Sequence, residues 1–327
     1  MRAIVCRQWA GPEALAFEDF PDPAASEDEV TIDVRACSVN HADLLMIRGA
    51  YQTRPPLPFV PGLDAAGTIA SAPPGSGLAA GDRVAAILWH GGYAERTRAS
   101  VGETFRLPPT MPFDVAAALS STYLSTTLAL EEVGRLCASE TLLVLGAGGG
   151  VGLAAVQLGK ALGARVIAVA GSPEKLAAAA DAGADEAVSH ASGAWKDEVA
   201  RLAGPEGVRV CLDPVGGAFF DSALSTVGWG GRYVVVGFAA GQIPNVAANR
   251  LLVKHRALLG SSLRYFRRYD PAALRRAMAG LFARHAAGAL RPRIAERRPL
   301  RETPEALRAL AERRVIGKLI VTNADGS

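Results

Sequence analysis

Residues 141–152 read TLLVLGAGGGVG, an apolar run that stops at a glycine cluster. A helical pattern begins at once, with Leu153, Val156, Leu158, Ala161 and Leu162 at helical spacing. The order is strand, tight turn, helix. Bare N–H groups at such a helix start, together with the helix dipole, favour a pyrophosphate. Against G-x-G-x-x-G the register is Ala147, Gly149, Gly152, with alanine at the first position and Gly148, Gly150 and Val151 between. A lone glycine turn can also be only a turn. Here a second apolar strand, 165–170 (RVIAVA), completes a strand–helix–strand unit of about 30 residues. The segment therefore reads as a dinucleotide site.

An acidic residue at the tip of the second strand would hold the ribose 2′-OH of NAD. Here the tip is Gly171-Ser172-Pro173-Glu174-Lys175. Ser172 can donate a hydrogen bond and Lys175 can supply charge, while Glu174 lies beyond Pro173, in the next helix. The expected cofactor is thus NADPH rather than NADH. Ser172 and Pro173 also read as the N-cap and first residue of a helix. His190, after a strand at 186–189, faces either the adenosine phosphate or solvent.

The 327 residues suit two domains, and half of them are hydrophobic, enough for sizeable cores. Residues 1–115 carry short β-like runs (3–5, 30–36, 66–70, 83–87) between Pro- and Gly-rich turns. A helix is expected at 116–133. From 140 onward strands and helices alternate, which means a parallel, doubly wound sheet. A net charge of +3 is too mild to imply nucleic acid. The arginines of 250–318 lack the interleaved aromatics of a base-stacking groove. The four cysteines form no C-x-x-C pair, so neither a cysteine zinc site nor a disulfide framework is expected. The N-terminus reads as a strand rather than a signal peptide, and no apolar run approaches the roughly 20 residues of a membrane span. The expected setting is cytoplasmic.

Several strings then point one way: Val39-Asn40-His41-Ala42-Asp43, Arg48-Gly49-Ala50-Tyr51, residues 55–62 (PPLPFVPG), Gly81-Asp82-Arg83-Val84, Asp213-Pro214-Val215-Gly216-Gly217, residues 236–241 (VGFAAG), Asn249-Arg250-Leu251-Leu252 and Gly317-Lys318-Leu319-Ile320. In this order, across nearly the whole chain, they resemble the medium-chain dehydrogenase/reductase superfamily, in its zinc-independent quinone oxidoreductase branch. The resemblance implies an α/β chain of two domains. Residues 1–120, completed by 263–327, would form a GroES-like, β-rich substrate domain. Residues 121–262 would form a Rossmann domain for NADPH. It also implies a homodimer.

Zinc alcohol dehydrogenases of that superfamily carry a ligand cysteine where this chain has Asn40 and a ligand histidine where it has Leu63. No metal is therefore expected, although His41, Asp43 and Asp64 could be recruited. Without a Lewis acid, oxidising a plain alcohol is hard. Reducing a quinone or another activated carbonyl needs only positioning and one proton donor. Asn40 would face the nicotinamide and hydrogen-bond cofactor or substrate. Tyr51 would donate a proton or merely pack. Asp43 would orient its neighbours or pair with Arg48. By the same resemblance, Gly149, Gly150, Val151 and Gly152 meet the pyrophosphate, and Ser125 meets the nicotinamide amide. Asp213, Val215, Gly237 and Phe238 end Rossmann strands at the cofactor; Asp213 also reads as a turn cap. Lys318 lies near the cofactor or in solvent. Two other readings stay open. One is an enoyl-thioester or alkenal reductase, with Arg264, Arg267 and Arg268 on coenzyme A phosphates. The other is a low-turnover NADPH-binding structural or regulatory protein.

Overall fold

Residues 1–323 are described in the computed structural model. They form two units: Met1–Ser121 with the chain from Ile294 onward, and Thr122–Arg293.

In the first unit, β1 (Arg2–Cys6) and β2 (Leu15–Asp19) make an antiparallel hairpin. β3 (Glu29–Val39) is the spine of the main sheet. Its first half alternates, with Val30, Ile32 and Val34 buried. Its last four residues, 36–39, are all buried, because neighbours cover both faces. β4 (Asp64–Ser71) pairs antiparallel with β3, β5 (Arg83–Ile87) with β4, and β6 (Arg96–Ser100) with β3. β7 (Thr104–Arg106) pairs with β5.

The helix expected at 116–133 is interrupted. α-Helical turns at Phe113–Ala118 and Leu124–Thr127 alternate with wide π-turns at Leu119–Tyr123 and Leu128–Val133. Hydroxyls bonding back to the backbone, such as Ser120 Oγ to Ala116 O and Thr126 Oγ1 to Thr122 O, accompany the break.

The second unit is a parallel sheet of β8 (Thr141–Leu145), β9 (Arg165–Ala170), β10 (Glu186–Ser189), β11 (Val208–Asp213), β12 (Val227–Val235) and β13 (Ala257–Gly260). Its spatial order is β10-β9-β8-β11-β12-β13. Counted from β8, that is the 3-2-1-4-5-6 order of a dinucleotide-binding sheet, with the switch point between β8 and β11. The run at 141–145 is fully central, which explains its unbroken apolar character.

The chain then returns to the first unit. β14 (Ile294–Pro299) and β15 (Lys318–Thr322) extend the main sheet, and β15 pairs with β3. The return falls at Ile294, not at 263 as expected from sequence. Residues 263–293 stay with the second unit because the helix Pro271–Ala286 buries Leu274, Met278 and Leu281 there and ties Arg284 to Glu131 at 2.6 Å. The last four positions of the expected C-terminal segment, 324–327, lie outside the described residues. Among the described residues no helix is long and apolar enough to cross a membrane.

Candidate active site

The first unit buries a polar cluster where β3, β4 and β15 meet. β3 delivers Cys37 and Ser38 and ends at Asn40, the N-cap of the helix His41–Ile47. β4 begins at Asp64 and β15 at Lys318, with Leu319 opposite Val39. A loop carries Tyr93 in from the side, its backbone N–H bonded to Pro61 O at 2.9 Å. That loop passes so close that a Cβ on Gly92 would lie 2.3 Å from Asp64 O.

Asp64, Asp43 and Tyr93 are wholly buried, while Lys318 is 5% and Asn40 8% exposed. Asp64 Oδ1 accepts Ser38 N–H at 2.7 Å, and Asp64 Oδ2 accepts the Ser38 hydroxyl at 2.5 Å and Asn40 Nδ2 at 3.2 Å. Asn40 Nδ2 also donates to Ser38 Oγ at 3.0 Å and Ser38 O at 3.2 Å. Lys318 Nζ donates to Asn40 Oδ1 at 2.7 Å and Val39 O at 3.0 Å. Asp43 Oδ2 accepts Tyr93 OH at 2.7 Å and the Asn40 backbone N–H at 2.9 Å, the latter as in a capping box. Asp43 Oδ1 is buried without a hydrogen-bond partner.

Fully ionised, two carboxylates and one ammonium would leave a buried negative charge, which is costly. Burial pushes the Asp43 carboxyl up to about 7, against the stabilising hydrogen bond of Tyr93. Burial also raises Asp64, opposed chiefly by Lys318. It lowers Lys318, opposed by Asp64 and Asp43. Asp64, with three donors, is the ionised partner of the ammonium. Asp43, with one bare oxygen, holds a proton until near neutral pH.

Asn40, Asp43 and Lys318, expected from sequence in different roles, meet in one network. The expected Asp43–Arg48 pair does not form. Asp43 points into the core while Arg48 is exposed, five positions further along a helix where neighbours fall three or four apart. Lys318 is buried, not solvated. Tyr51 is half-buried against the apolar core around Val39, Met46 and Phe59. The sequence does not mark Ser38 or Tyr93, and it offers Asp64 only as a stand-in metal ligand. Asp64 had one signal, an acidic residue directly before the apolar run of β4. Tyr93 had none beyond the Gly91-Gly92 turn.

In the second unit the glycine turn follows β8 at the switch point. The helix Gly150–Ala161 starts at Gly149, with no side chain capping it. A Cβ on Gly152 would lie 2.3 Å from Gly146 O and 2.5 Å from Ala147 Cα, so this glycine is needed for the turn itself. A Cβ on Gly149 would meet nothing nearer than 3.5 Å and its φ is −85°. The fold does not require glycine there, and a bare backbone at a helix start leaves room for an anion. A pyrophosphate fits this turn.

Around it, Ala147 is buried, with N–H bonded to Val169 O at 3.0 Å. The Lys175 stem lies along Gly148. Ser172 caps the helix Pro173–Asp181, accepting Lys175 N–H at 3.4 Å. Its hydrogen bond to Glu174 is the main reason that carboxyl sits below its ordinary value. His190 covers Gly171 and stacks edge-on against Phe219, ring centroids 4.7 Å apart. Val215 packs on Gly146, and Phe238, beside Gly237, packs on Gly216. Asp213 accepts Tyr233 OH at 2.7 Å, Val215 N–H at 2.7 Å and Gly216 N–H at 2.8 Å. Its carboxyl group holds the turn. Ser125 donates to Thr122 O at 3.0 Å.

Residues 26–109 match the alcohol dehydrogenase GroES-like domain and residues 150–279 the family described as zinc-binding dehydrogenase. The chain is 33% identical to rat quinone oxidoreductase-like protein 2 over 323 residues, 98% of this chain and 92% of that one. This chain belongs to the quinone oxidoreductase branch of the medium-chain dehydrogenase/reductase superfamily. It is an oxidoreductase. Among solved structures it is similar to the quinone oxidoreductase of Thermus thermophilus, described also in complex with NADPH. The TM-score is 0.86 at 36% identity, over 98% of this chain and 100% of that one. It is similar too to the Escherichia coli quinone oxidoreductase complexed with NADPH, with a TM-score of 0.90 at 27% identity, over 98% and 100% of the chains.

The second family description names zinc, and the donor set here does not fit that ion. Asn40 Oδ1 faces an ammonium 2.7 Å away that repels a cation. Leu63 has no donor atom. Burial raises the Cys37 thiol well above its ordinary value, and Sγ donates to Asp64 O at 2.8 Å, so it is not a thiolate. Among the described residues no group of three or more His, Cys, Asp or Glu is arranged to hold a metal.

Proposed function

We propose that this oxidoreductase is a zinc-independent NADPH:quinone reductase that accepts quinones or related activated carbonyl compounds. The observation that carries the reading is the hydrogen bond from Lys318 Nζ to Asn40 Oδ1, which puts a protein cation where a metal ligand would be needed. The NADPH complexes of the Thermus thermophilus and Escherichia coli relatives support the cofactor. Bound NADPH supplies the hydride. The chain's part is binding and orientation. Gly149, Gly150, Val151 and Gly152 offer backbone N–H groups to the pyrophosphate. Ser172, Lys175 and His190 surround the tip of β9, where the adenosine phosphate would bind. Ser125, Val215, Gly237 and Phe238 complete the cofactor contacts. Asn40 and Tyr51 are the groups toward the acceptor, and Asp43 orients Asn40 through its backbone N–H.

An acceptor that delocalises charge needs no Lewis acid, which matches an Asn40 oxygen held by an ammonium. The same reading includes a homodimer, supported by β13 at the edge of its sheet and by Leu252 and Val253, 73% and 72% exposed. It also includes a reducing cytoplasmic setting, supported by the four free cysteines. An enoyl-thioester acceptor is the second reading. It is favoured by Tyr265 and Tyr269, stacked and exposed on a short helix with Arg264, Arg267 and Arg268. Loss of reduced-nicotinamide absorbance with para- and ortho-quinones against crotonyl-coenzyme A separates the two. Turnover of quinones supports the first reading, and turnover of the thioester alone replaces it with the second.

A further inference from the structure

We propose that Lys318 is a positioning residue whose ammonium fixes the orientation of the Asn40 carboxamide at the active site. The inference rests on the function proposed above only for its catalytic consequence. A carboxamide can sit in two orientations that differ by exchanging oxygen and nitrogen. In the orientation observed, Oδ1 receives Lys318 Nζ at 2.7 Å, and Nδ2 faces three acceptors, Asp64 Oδ2, Ser38 Oγ and Ser38 O, at 3.2, 3.0 and 3.2 Å. Rotating the amide would set its N–H groups against the ammonium and its oxygen against the Asp64 carboxylate. Cation and anion therefore select the same orientation from opposite sides. Both lie in a buried setting, where an unmatched polar contact is costly.

Lys318 is itself fixed by Val39 O at 3.0 Å and by its place at the start of β15, whose next residue pairs with Val39. The amide is thus held by three adjacent strands of one sheet. Asp64 supplies the anion and Lys318 the cation. A neutral, unbranched side chain one atom shorter, as in K318M, would fill most of the space at 318 and release the choice of orientation.

The test compares the wild type, K318M and K318A, the last with and without ethylammonium. The first readout is hydrogen exchange of the Asn40 side-chain amide protons by NMR, which needs neither cofactor nor acceptor. The second is kcat with NADPH and para-benzoquinone beside the dissociation constant of NADPH. The expected result is exchange at least tenfold faster in both variants. A kcat at least tenfold lower, with NADPH affinity within threefold of wild type, should accompany it. Ethylammonium, but not propanol, should restore both in K318A. Unchanged amide exchange in folded K318M overturns the proposal, as does equal rescue by propanol, which would make Lys318 a space-filler. Lost NADPH affinity at unchanged kcat also overturns it, by assigning the lysine to the cofactor. If the wild type turns over no quinone while the exchange difference stands, the proposed function fails and the positioning role does not. If K318M does not fold, the K318A exchange with each additive decides alone.

Discussion

Tyr93 donates its phenol to Asp43 at 2.7 Å, and the same carboxyl oxygen holds the Asn40 backbone N–H at 2.9 Å. The helix start that presents Asn40 is therefore tied to a loop some fifty positions away in sequence. Tyr93→Phe removes a donor from a buried carboxyl and leaves that oxygen with one partner. A loss of about 1–3 kcal/mol is expected from urea denaturation. A loss near zero would mean that the phenol contributes nothing net.

The Asp43 carboxyl has an ordinary value of 3.8 and is pushed up to about 7 in the fold. Its folded pKa is raised, so its stabilising contribution is full below its ordinary value. That contribution is lost as pH rises through about 7. A shift of this size corresponds to on the order of 4 kcal/mol between protonation states. Asp64 is raised as well and acts in the same direction. Asp43→Asn, which cannot ionise, should gain stability relative to the wild type as pH rises from about 5 to about 8. The measurement is the difference in Tm between the two proteins across that range. A constant difference would contradict a buried, proton-holding Asp43.

Gly149 and Gly152 separate cofactor binding from folding. The Cβ of Gly152→Ala would strike Gly146 O and Ala147 Cα, so this variant should lose Tm. At Gly149 a Cβ has room within the protein, and the side chain of Gly149→Val would block approach to the backbone of the turn. It should keep its Tm and lose NADPH affinity at least tenfold in a fluorescence titration. Retained affinity would remove the turn from the pyrophosphate site.

Glu174 and Lys175, of opposite charge, follow Ser172 in the first turn of the helix after β9. Lys175→Glu should raise KM for NADPH much more than for NADH, and Glu174→Gln should shift the preference further toward NADPH. Equal effects on both cofactors would separate these residues from the phosphate.

The second unit was legible because central parallel strands are apolar without interruption and glycine punctuates the first turn. Both signals are local. The first unit was legible only in outline. β6 (RTRAS) and β14 (IAERRP) show little apolar alternation, so composition gives them the look of loops. The Lys318–Asn40–Asp64 contact joins residues far apart in sequence, and nothing local marks a lysine as buried. The π-turns at 119–123 and 128–133 leave the apolar pattern helical while changing the backbone pitch, so the sequence reads as one helix.

The proposed activity is reduction of quinones with NADPH and no metal. The most direct measurement is NADPH oxidation with para-benzoquinone, before and after exhaustive dialysis against EDTA, with zinc content determined in parallel. The expected result is turnover unchanged by the chelator in protein with far less than one zinc per chain. Turnover that falls with EDTA and returns with zinc would contradict it.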